Sequence, residues 1–304
     1  MTSSVTIIGG GKLSQPVAEF FQQQYPVTVL KRTPPNSTGE QNDSPAAHIQ
    51  EIGYRAADIT DIDSIRFSLP TETTHLLYCL TPPAFTEEAY QQVFPEGLRN
   101  LHQVLTERGQ TLERLFFVSS SGVYHQDNDT VVDESSEIAP TSFSGIALKS
   151  AEAFIKDHFT STIIRFSGIY GGNRTRLLNQ ALQGELPEVP HNPFTNRIHE
   201  RDCIGVLQHL MAKSLAGETL ENLYLATDCE PVRINTMRAW FKAHLECAPD
   251  QPATEPFRRR NGSKQCRNSR LLSSGYDFIY PNWRSGYREM IERLMPEKIA
   301  EPFF

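Results

Sequence analysis

A doubly wound α/β fold, a parallel sheet with helices on both faces, is what this sequence predicts. Three observations carry the prediction. Strand and helix patterns alternate over the first 166 residues, the fifth candidate strand is apolar throughout rather than at every second position, and a glycine triplet joins the first strand to the first helix. At 304 residues the chain has room for a large core. With 29 Lys+Arg against 36 Asp+Glu the net charge is −7, which works against a broad electrostatic footprint for nucleic acid or an anionic membrane.

The opening run Val5-Thr6-Ile7-Ile8 is short, β-rich and ends in Gly9, Gly10 and Gly11. From Leu13 to Gln24 the apolar residues Leu13, Val17, Phe20 and Phe21 share one helix face, before Pro26 and a second strand over Val27–Leu30. Thr33 to Pro45 is rich in Pro, Asn, Ser and Thr and reads as a surface loop. A third strand is expected over Tyr54–Asp58, a fourth over His75–Leu80, a long helix over Glu87–Thr106 and a fifth strand at Leu115–Val118. The stretch Pro140-Thr141-Ser142 caps a helix from Phe143 to His158, and Thr162–Phe166 is a sixth strand with β-branched residues. Beyond it the pattern loosens into helices over Asp202–Lys213, Ile234–Glu246 and Trp283–Leu294, with an isolated strand at Asn222–Leu225. The expected division is one domain over residues 1–166 and a smaller, partly interleaved region over 167–304, with some segments returning to the sheet. No repeat of 20–50 residues is visible.

Five cysteines, Cys79, Cys203, Cys229, Cys247 and Cys266, include no C-x-x-C pair. That fits a reducing compartment and argues against a zinc cluster, so no metal is expected. The N-terminus lacks the basic and apolar regions of a signal peptide, and no apolar run approaches the ~20 residues of a membrane span. A cytoplasmic location is the expectation.

Strand, Gly9-x-Gly11-x-x-Ser14, helix is an arrangement that cradles a dinucleotide: glycines allow a tight turn and let the backbone approach a pyrophosphate at a helix N-terminus. Residues 1–166 thus read as a Rossmann-type dinucleotide-binding domain, with Gly9, Gly11, Lys12 and Leu13 expected at the cofactor, and 167–304 as the substrate-binding region. Ser14 stands where a third glycine usually lets helix and strand pack closely. A glycine-rich turn without a ligand is the plainer alternative. An NAD site places Asp or Glu about 20 residues after the loop, whereas strand two here ends in Leu30-Lys31-Arg32. Lys31 and the planar fork of Arg32 suit a 2′-phosphate, so NADP is expected over NAD; the other account is that they are simply solvated.

Several stretches together resemble the extended short-chain dehydrogenase/reductase superfamily, in its atypical members and in particular the NAD-dependent epimerase/dehydratase family. They are Val5 to Ala18, Ala57-Asp58-Ile59-Thr60-Asp61, Phe117 to Tyr124, Val132-Asp133-Glu134, Ile164 to Gly171, Arg197 to Asp202 and Asn222 to Asp228. The resemblance implies a dinucleotide bound across the carboxyl edge of the sheet, with Asp58 near the adenine, Leu80 and Thr81 near the cofactor's middle, and Ser120 and Ser121 beside the substrate. Asp58 has an alternative as the N-cap of the next helix.

The superfamily's chemistry joins a Ser or Thr, a Tyr and a Lys. The Tyr exchanges a proton with a carbonyl, and the Lys four residues on binds the nicotinamide ribose and lowers the Tyr pKa from its usual value near 10. Ser120 matches the hydroxyl and Lys149 the lysine, but the tyrosine position holds Gly145. A glycine inside a helix costs up to about 1 kcal/mol relative to alanine, so either Gly145 lies near the helix start or something approaches its backbone, such as a ligand entering the vacated space. Tyr124, His125 and Tyr170 are the other proton carriers near the expected site, and Tyr124 is the candidate carried forward.

Asn173-Arg174-x-Arg176, Asn196-Arg197 and His199 form a possible clamp for an anionic substrate such as a nucleotide-sugar phosphate, with structural turn partners as the alternative. Arg258-Arg259-Arg260 with Lys264 and Arg267 reads as a solvated loop, since aromatics do not interleave it. The expected protein is an NAD(P)-binding oxidoreductase or epimerase, monomeric or homodimeric, acting on a small hydroxyl- or carbonyl-bearing substrate such as a sugar derivative. The alternative is a dinucleotide-binding sensor or interaction protein that has lost catalysis.

Overall fold

The computed structural model describes residues 3–35, 51–186, 188–251 and 262–300. The arginine run at 258–260 and most of the loop expected at 33–45 lie outside them. In chain order the elements are β1 (Val5–Ile8), α1 (Ser14–Phe21), β2 (Val27–Lys31), β3 (Gly53–Ala56), α2 (Ile62–Ser68), β4 (His75–Tyr78), α3 (Glu87–Gln91), α4 (Gly97–Glu107), β5 (Arg114–Ser120) and β6 (Thr130–Val132). There follow α5 (Phe143–His158), β7 (Ser161–Phe166), β8 (Gly168–Tyr170), α6 (Arg176–Leu182), β9 (Phe194–Thr195), β10 (Arg197–His199), α7 (Glu200–Leu215), β11 (Leu223–Ala226), β12 (Val232–Arg233), α8 (Ile234–His244), β13 (Lys264–Cys266), α9 (Ser269–Ser273) and α10 (Trp283–Leu294).

Seven strands make the central sheet in the order β11-β7-β5-β4-β1-β2-β3. β1 runs parallel to both neighbours, with Val5 opposite Val27 and His75, and Ile8 opposite Leu30 and Tyr78. Every residue of β1, β4 and β7 is buried, as strands covered on both faces require, and this is why their sequences do not alternate. The chain steps outward from β1 to β3 and resumes at β4 on the other side of β1. The side on which successive strands are added therefore switches between β1 and β4, which stay parallel, and the loops after these two strands lead to opposite sides and leave a crevice.

The helix expected over Glu87–Thr106 is interrupted. A π turn over Gln92–Glu96 separates α3 from α4, and Pro95 explains it, because proline has no N–H for the ladder and its ring crowds the preceding turn. The buried Tyr78 hydroxyl donates to the Val93 carbonyl inside this turn. Gly97 is small for the same reason, since a Cβ there would lie 2.6 Å from the Tyr78 hydroxyl. Tyr78→Phe strands a buried carbonyl and is expected to cost about 1–3 kcal/mol, read as a lower urea midpoint at unchanged slope.

Two compact units divide the chain: Met1–Val123, Pro140–Ile164 and Ile204–Leu223 form the first, and Tyr124–Ala139, Arg165–Cys203 and Tyr224–Phe304 the second. Residues 204–223 belong to the first unit although they follow β7 and β8 in the chain. In the second unit β8 pairs with β10, β9 with β12 and β6 with β13, all of two or three residues. Its core joins Tyr170, Leu178, Phe241, Trp283, Tyr287 and Met290 from β8, α6, α8 and α10. The buried Asp202 carboxylate accepts from the amides of Ile279 and Tyr280 and from the Tyr276 hydroxyl, pinning the segment before α10 to the start of α7. Among the described residues no helix is long and apolar enough to cross a membrane.

Candidate functional site

The glycine loop leaves β1 with Gly9 at φ +110°, a conformation that favours glycine, and a Cβ there would sit 2.1 Å from the Cys79 carbonyl oxygen at the end of β4. Gly11 differs: a Cβ there meets nothing within 4 Å, so its main chain faces open space. Ser14, buried at the start of α1, accepts from the Gly11 N–H at 2.9 Å. The serine thereby ties the loop to the helix in place of the close packing that a third glycine allows.

A cleft of about 540 Å³ opens at this loop. Of the expected cofactor residues it is lined by Gly9, Gly11, Lys31, Arg32, Asp58, Leu80 and Thr81, whereas Lys12, Leu13 and Lys149 are not part of its wall. Lys12 is exposed, and Leu13 is buried immediately before α1. Asp58 is not the N-cap of α2; Asp61 is, accepting from the Asp63 amide. The Asp58 carboxylate instead accepts from the Thr60 amide and hydroxyl at 2.9 and 2.8 Å, which shapes the floor beyond β3. Thr60, Cys79, Gln92 and Val93 also line the cleft and were not anticipated. Pro95 inside a helical pattern was the one signal that could have pointed to Gln92 and Val93.

A dinucleotide fits what these residues offer: an open glycine main chain at a helix N-terminus, and a β2 wall with two cations and no carboxylate. When bound, a nicotinamide cofactor supplies hydride transfer. Lys31 and Arg32 would meet phosphate, and Leu80 and Thr81 would flank the cofactor's middle.

On the expected catalytic side, Ser120 Oγ accepts from the Gly122 N–H at 3.0 Å, leaving its own hydrogen to donate. Lys149 is exposed on α5. Gly145 lies in the first turn of α5 and its backbone is closely approached, as the sequence required, but what approaches it is protein rather than a ligand. A Cβ at Gly145 would lie 2.6 Å from Pro140 Cβ and 2.9 Å from the Gly122 carbonyl oxygen, so neighbouring protein occupies the room where a side chain would begin. Ser142 caps α5 by accepting from the Gly145 N–H, which fixes this residue in the first turn against both neighbours. Ser121 is buried in the short turn that follows β5.

Tyr124, in the second unit, is corrected as a proton carrier. It is 2% exposed, its hydroxyl donates to the Asp133 carbonyl at 2.7 Å and accepts from Arg165 Nη1 at 2.9 Å, and burial pushes its pKa up to about 12. A catalytic phenol needs the opposite shift. Tyr170 is likewise buried, stacked on Tyr287 with ring centroids 4.4 Å apart, and burial raises its pKa. His125 is exposed.

Among the residues expected at the substrate, Arg174 is ion-paired with Glu200. Arg197 is half-buried beside Gly168, whose Cβ would come within 3.4 Å of Arg197 Nη1. His199 is 2% exposed, and its Nδ1 accepts from the Arg201 amide at 3.2 Å, which places the ring proton on Nε2, 3.7 Å from a Glu289 carboxylate oxygen. Burial lowers its pKa to about 4. It packs against Gly171, where a Cβ would lie 2.4 Å from Nε2, and offers a ligand almost no surface.

A parallel sheet whose glycine loop opens a cleft where the strand order switches sides is the architecture of the short-chain dehydrogenase/reductase superfamily. A solved structure from Methylobacillus flagellatus, named as an NAD-dependent epimerase/dehydratase, is 32% identical over 96% of this chain and 98% of its own, with a TM-score of 0.73. This chain belongs to the NAD-dependent epimerase/dehydratase family. The UDP-glucose 4-epimerase of Thermotoga maritima, solved with UDP-glucose, shares the fold at 16% identity and a TM-score of 0.72 over 97% of this chain and 99% of that one. So does WbmG of Bordetella bronchiseptica, solved with NAD, at 13% identity and a TM-score of 0.70 over 97% and 95% of the two chains. No protein-family model and no curated protein matches the chain.

Proposed function

We propose that the chain binds NADP in preference to NAD and acts in the cytoplasm as an oxidoreductase or epimerase on a small hydroxyl- or carbonyl-bearing substrate such as a sugar derivative. The observation that carries the cofactor choice is the cleft wall at the end of β2, where Lys31 and Arg32 stand and no acid competes for a ribose hydroxyl. Ser120 would donate to the substrate oxygen. Lys149 would supply positive charge near the reacting carbonyl, and no phenol stands between them in α5. Ser121, Arg174, Arg197 and His199 are the substrate residues of the same proposal, with Arg174 the most exposed of them and His199 the least.

Titration by fluorescence or calorimetry tests it. NADPH is expected to bind about tenfold more tightly than NADH, the order of one charge-assisted contact, and Arg32→Asp is expected to abolish the difference. Equal affinities in the parent protein would remove the NADP preference, and binding of neither nucleotide would remove the whole proposal. A second reading, binding without turnover, draws on the closed space at Gly145. It predicts tight NADPH binding with no consumption against a panel of sugar and small carbonyl substrates.

A further inference from the structure

Three consecutive glycines follow β1, and the structure gives each a different reason. Gly9 needs its positive φ, and Gly11 faces open space. Gly10 is neither strained nor open: its backbone is not in the left-handed region, yet a Cβ there would lie 2.7 Å from Lys31 Cδ, 3.0 Å from Cε and 3.2 Å from Nζ. The Lys31 side chain therefore lies across the loop in the place that a side chain at position 10 would take. Its stem is packed, its backbone is held in the sheet opposite Ala56, and no hydrogen bond or ion pair engages its ammonium among the described residues. A lysine laid along protein surface with its charge at the rim is poised to meet an anion.

We propose that Gly10 is a specificity-determining position of the cofactor site: by lacking a side chain it seats the Lys31 ammonium on the cleft wall, where that charge binds the 2′-phosphate of NADP. The inference rests on the NADP reading above and adds a positioning residue to it. Arg32 is exposed at the next position and offers a second cation to the same phosphate. The pyrophosphate is the other phosphoryl group within reach of a loop of this kind, and the two sources separate because NADH carries only the latter.

The test compares NADPH and NADH affinities in the parent, Gly10→Ala, Lys31→Met and the double variant. The atoms that a new Cβ meets at position 10 belong to the far end of a flexible side chain, so Gly10→Ala is expected to fold with an unchanged melting temperature and a displaced Lys31. NADPH is expected to weaken about fivefold to tenfold in each single variant, NADH by less than about twofold, and the double variant no further than Lys31→Met alone. Equal weakening of both nucleotides would assign Lys31 to the pyrophosphate and overturn the proposal. Unchanged NADPH affinity in Gly10→Ala, or additive losses in the double variant, would overturn it as well. A parent protein that binds neither nucleotide would instead defeat the reading beneath, which the parent titration alone reveals.

Discussion

Gly145→Ala is expected to destabilise the protein by about 1–3 kcal/mol, although the same exchange in an unobstructed helix stabilises by up to about 1 kcal/mol. The reversal of sign is the diagnostic. Alanine lowers the entropy of the unfolded chain and suits helical dihedrals, so a loss can come only from what the added methyl meets. Here it meets Pro140 Cβ at 2.6 Å and the Gly122 carbonyl oxygen at 2.9 Å, one on the segment that leads into α5 and the other on the turn after β5. Neither can yield cheaply, because both are fixed by the chain that leads to the Ser142 cap and to Ser120. Urea unfolding of the two proteins reads the difference directly. Gly145→Tyr extends the same clash to a ring and is expected to leave little folded protein at 37 °C rather than to restore the superfamily's phenol. A rise in stability for alanine, or a well-folded tyrosine variant with carbonyl reductase activity, would show the space to be open.

This result bears on the chemistry as well as on packing. A lost tyrosine that left a hole would look like a recent deletion that ligand or water can fill. A glycine with protein packed into its place indicates that the first turn of α5 has settled around the absence, and any turnover must draw its proton from a group other than a residue at 145. Ser120, with its hydrogen uncommitted by the Gly122 contact, is the hydroxyl left on that side.

The parallel sheet was legible because burial on both faces writes itself locally: Leu115–Val118 is apolar at every position, Val5–Ile8 at all but Thr6, and helices such as that after Leu13 carry the 3.6-residue period. The ends Phe143–His158 and Trp283–Leu294 were legible to the residue, since Ser142 and Asn282 supply side-chain caps. The glycine loop at the end of β1 was legible for the same local reason. What sequence could not supply was contact between distant residues. Nothing near Tyr124 announces that Arg165 will hydrogen-bond its hydroxyl, and nothing near Gly145 announces the Gly122 carbonyl beside it. The second unit was the least legible part, because strands of two or three residues such as Phe194–Thr195 and Val232–Arg233 are too short to show a period.

Stability above pH 6.5 is expected to fall in the parent protein and to stay level in Asp228→Asn. Asp228 is 1% exposed, one carboxylate oxygen has no hydrogen-bond partner, and burial raises its pKa to about 8 against the pull of the Glu230 amide; Glu230 and Asp202 push the same way as burial, and Arg197 opposes them. A carboxyl with a raised folded pKa contributes its full stability below the unfolded value near 4 and loses it as pH climbs to about 8, since the unfolded chain gives up the proton first. His199 slopes the other way. Its folded pKa near 4 lies below the unfolded value of 6.5, so it costs stability as pH falls through that interval. Between pH 4 and 6.5 these two slopes oppose one another, and from 6.5 to 8 only that of Asp228 remains of the pair, at about 1.4 kcal/mol per pH unit or about 2 kcal/mol across the interval. Asn keeps an oxygen for the Glu230 amide and cannot ionise, so urea unfolding of Asp228→Asn should give equal stability at pH 6.5 and 8, and a fall of about 3 kcal/mol from pH 6.5 to 4 as His199 is left uncompensated. A parent protein with level stability from pH 6.5 to 8 would mean that Asp228 is solvated or paired in solution, and the buried arrangement around Arg197 would then have to open.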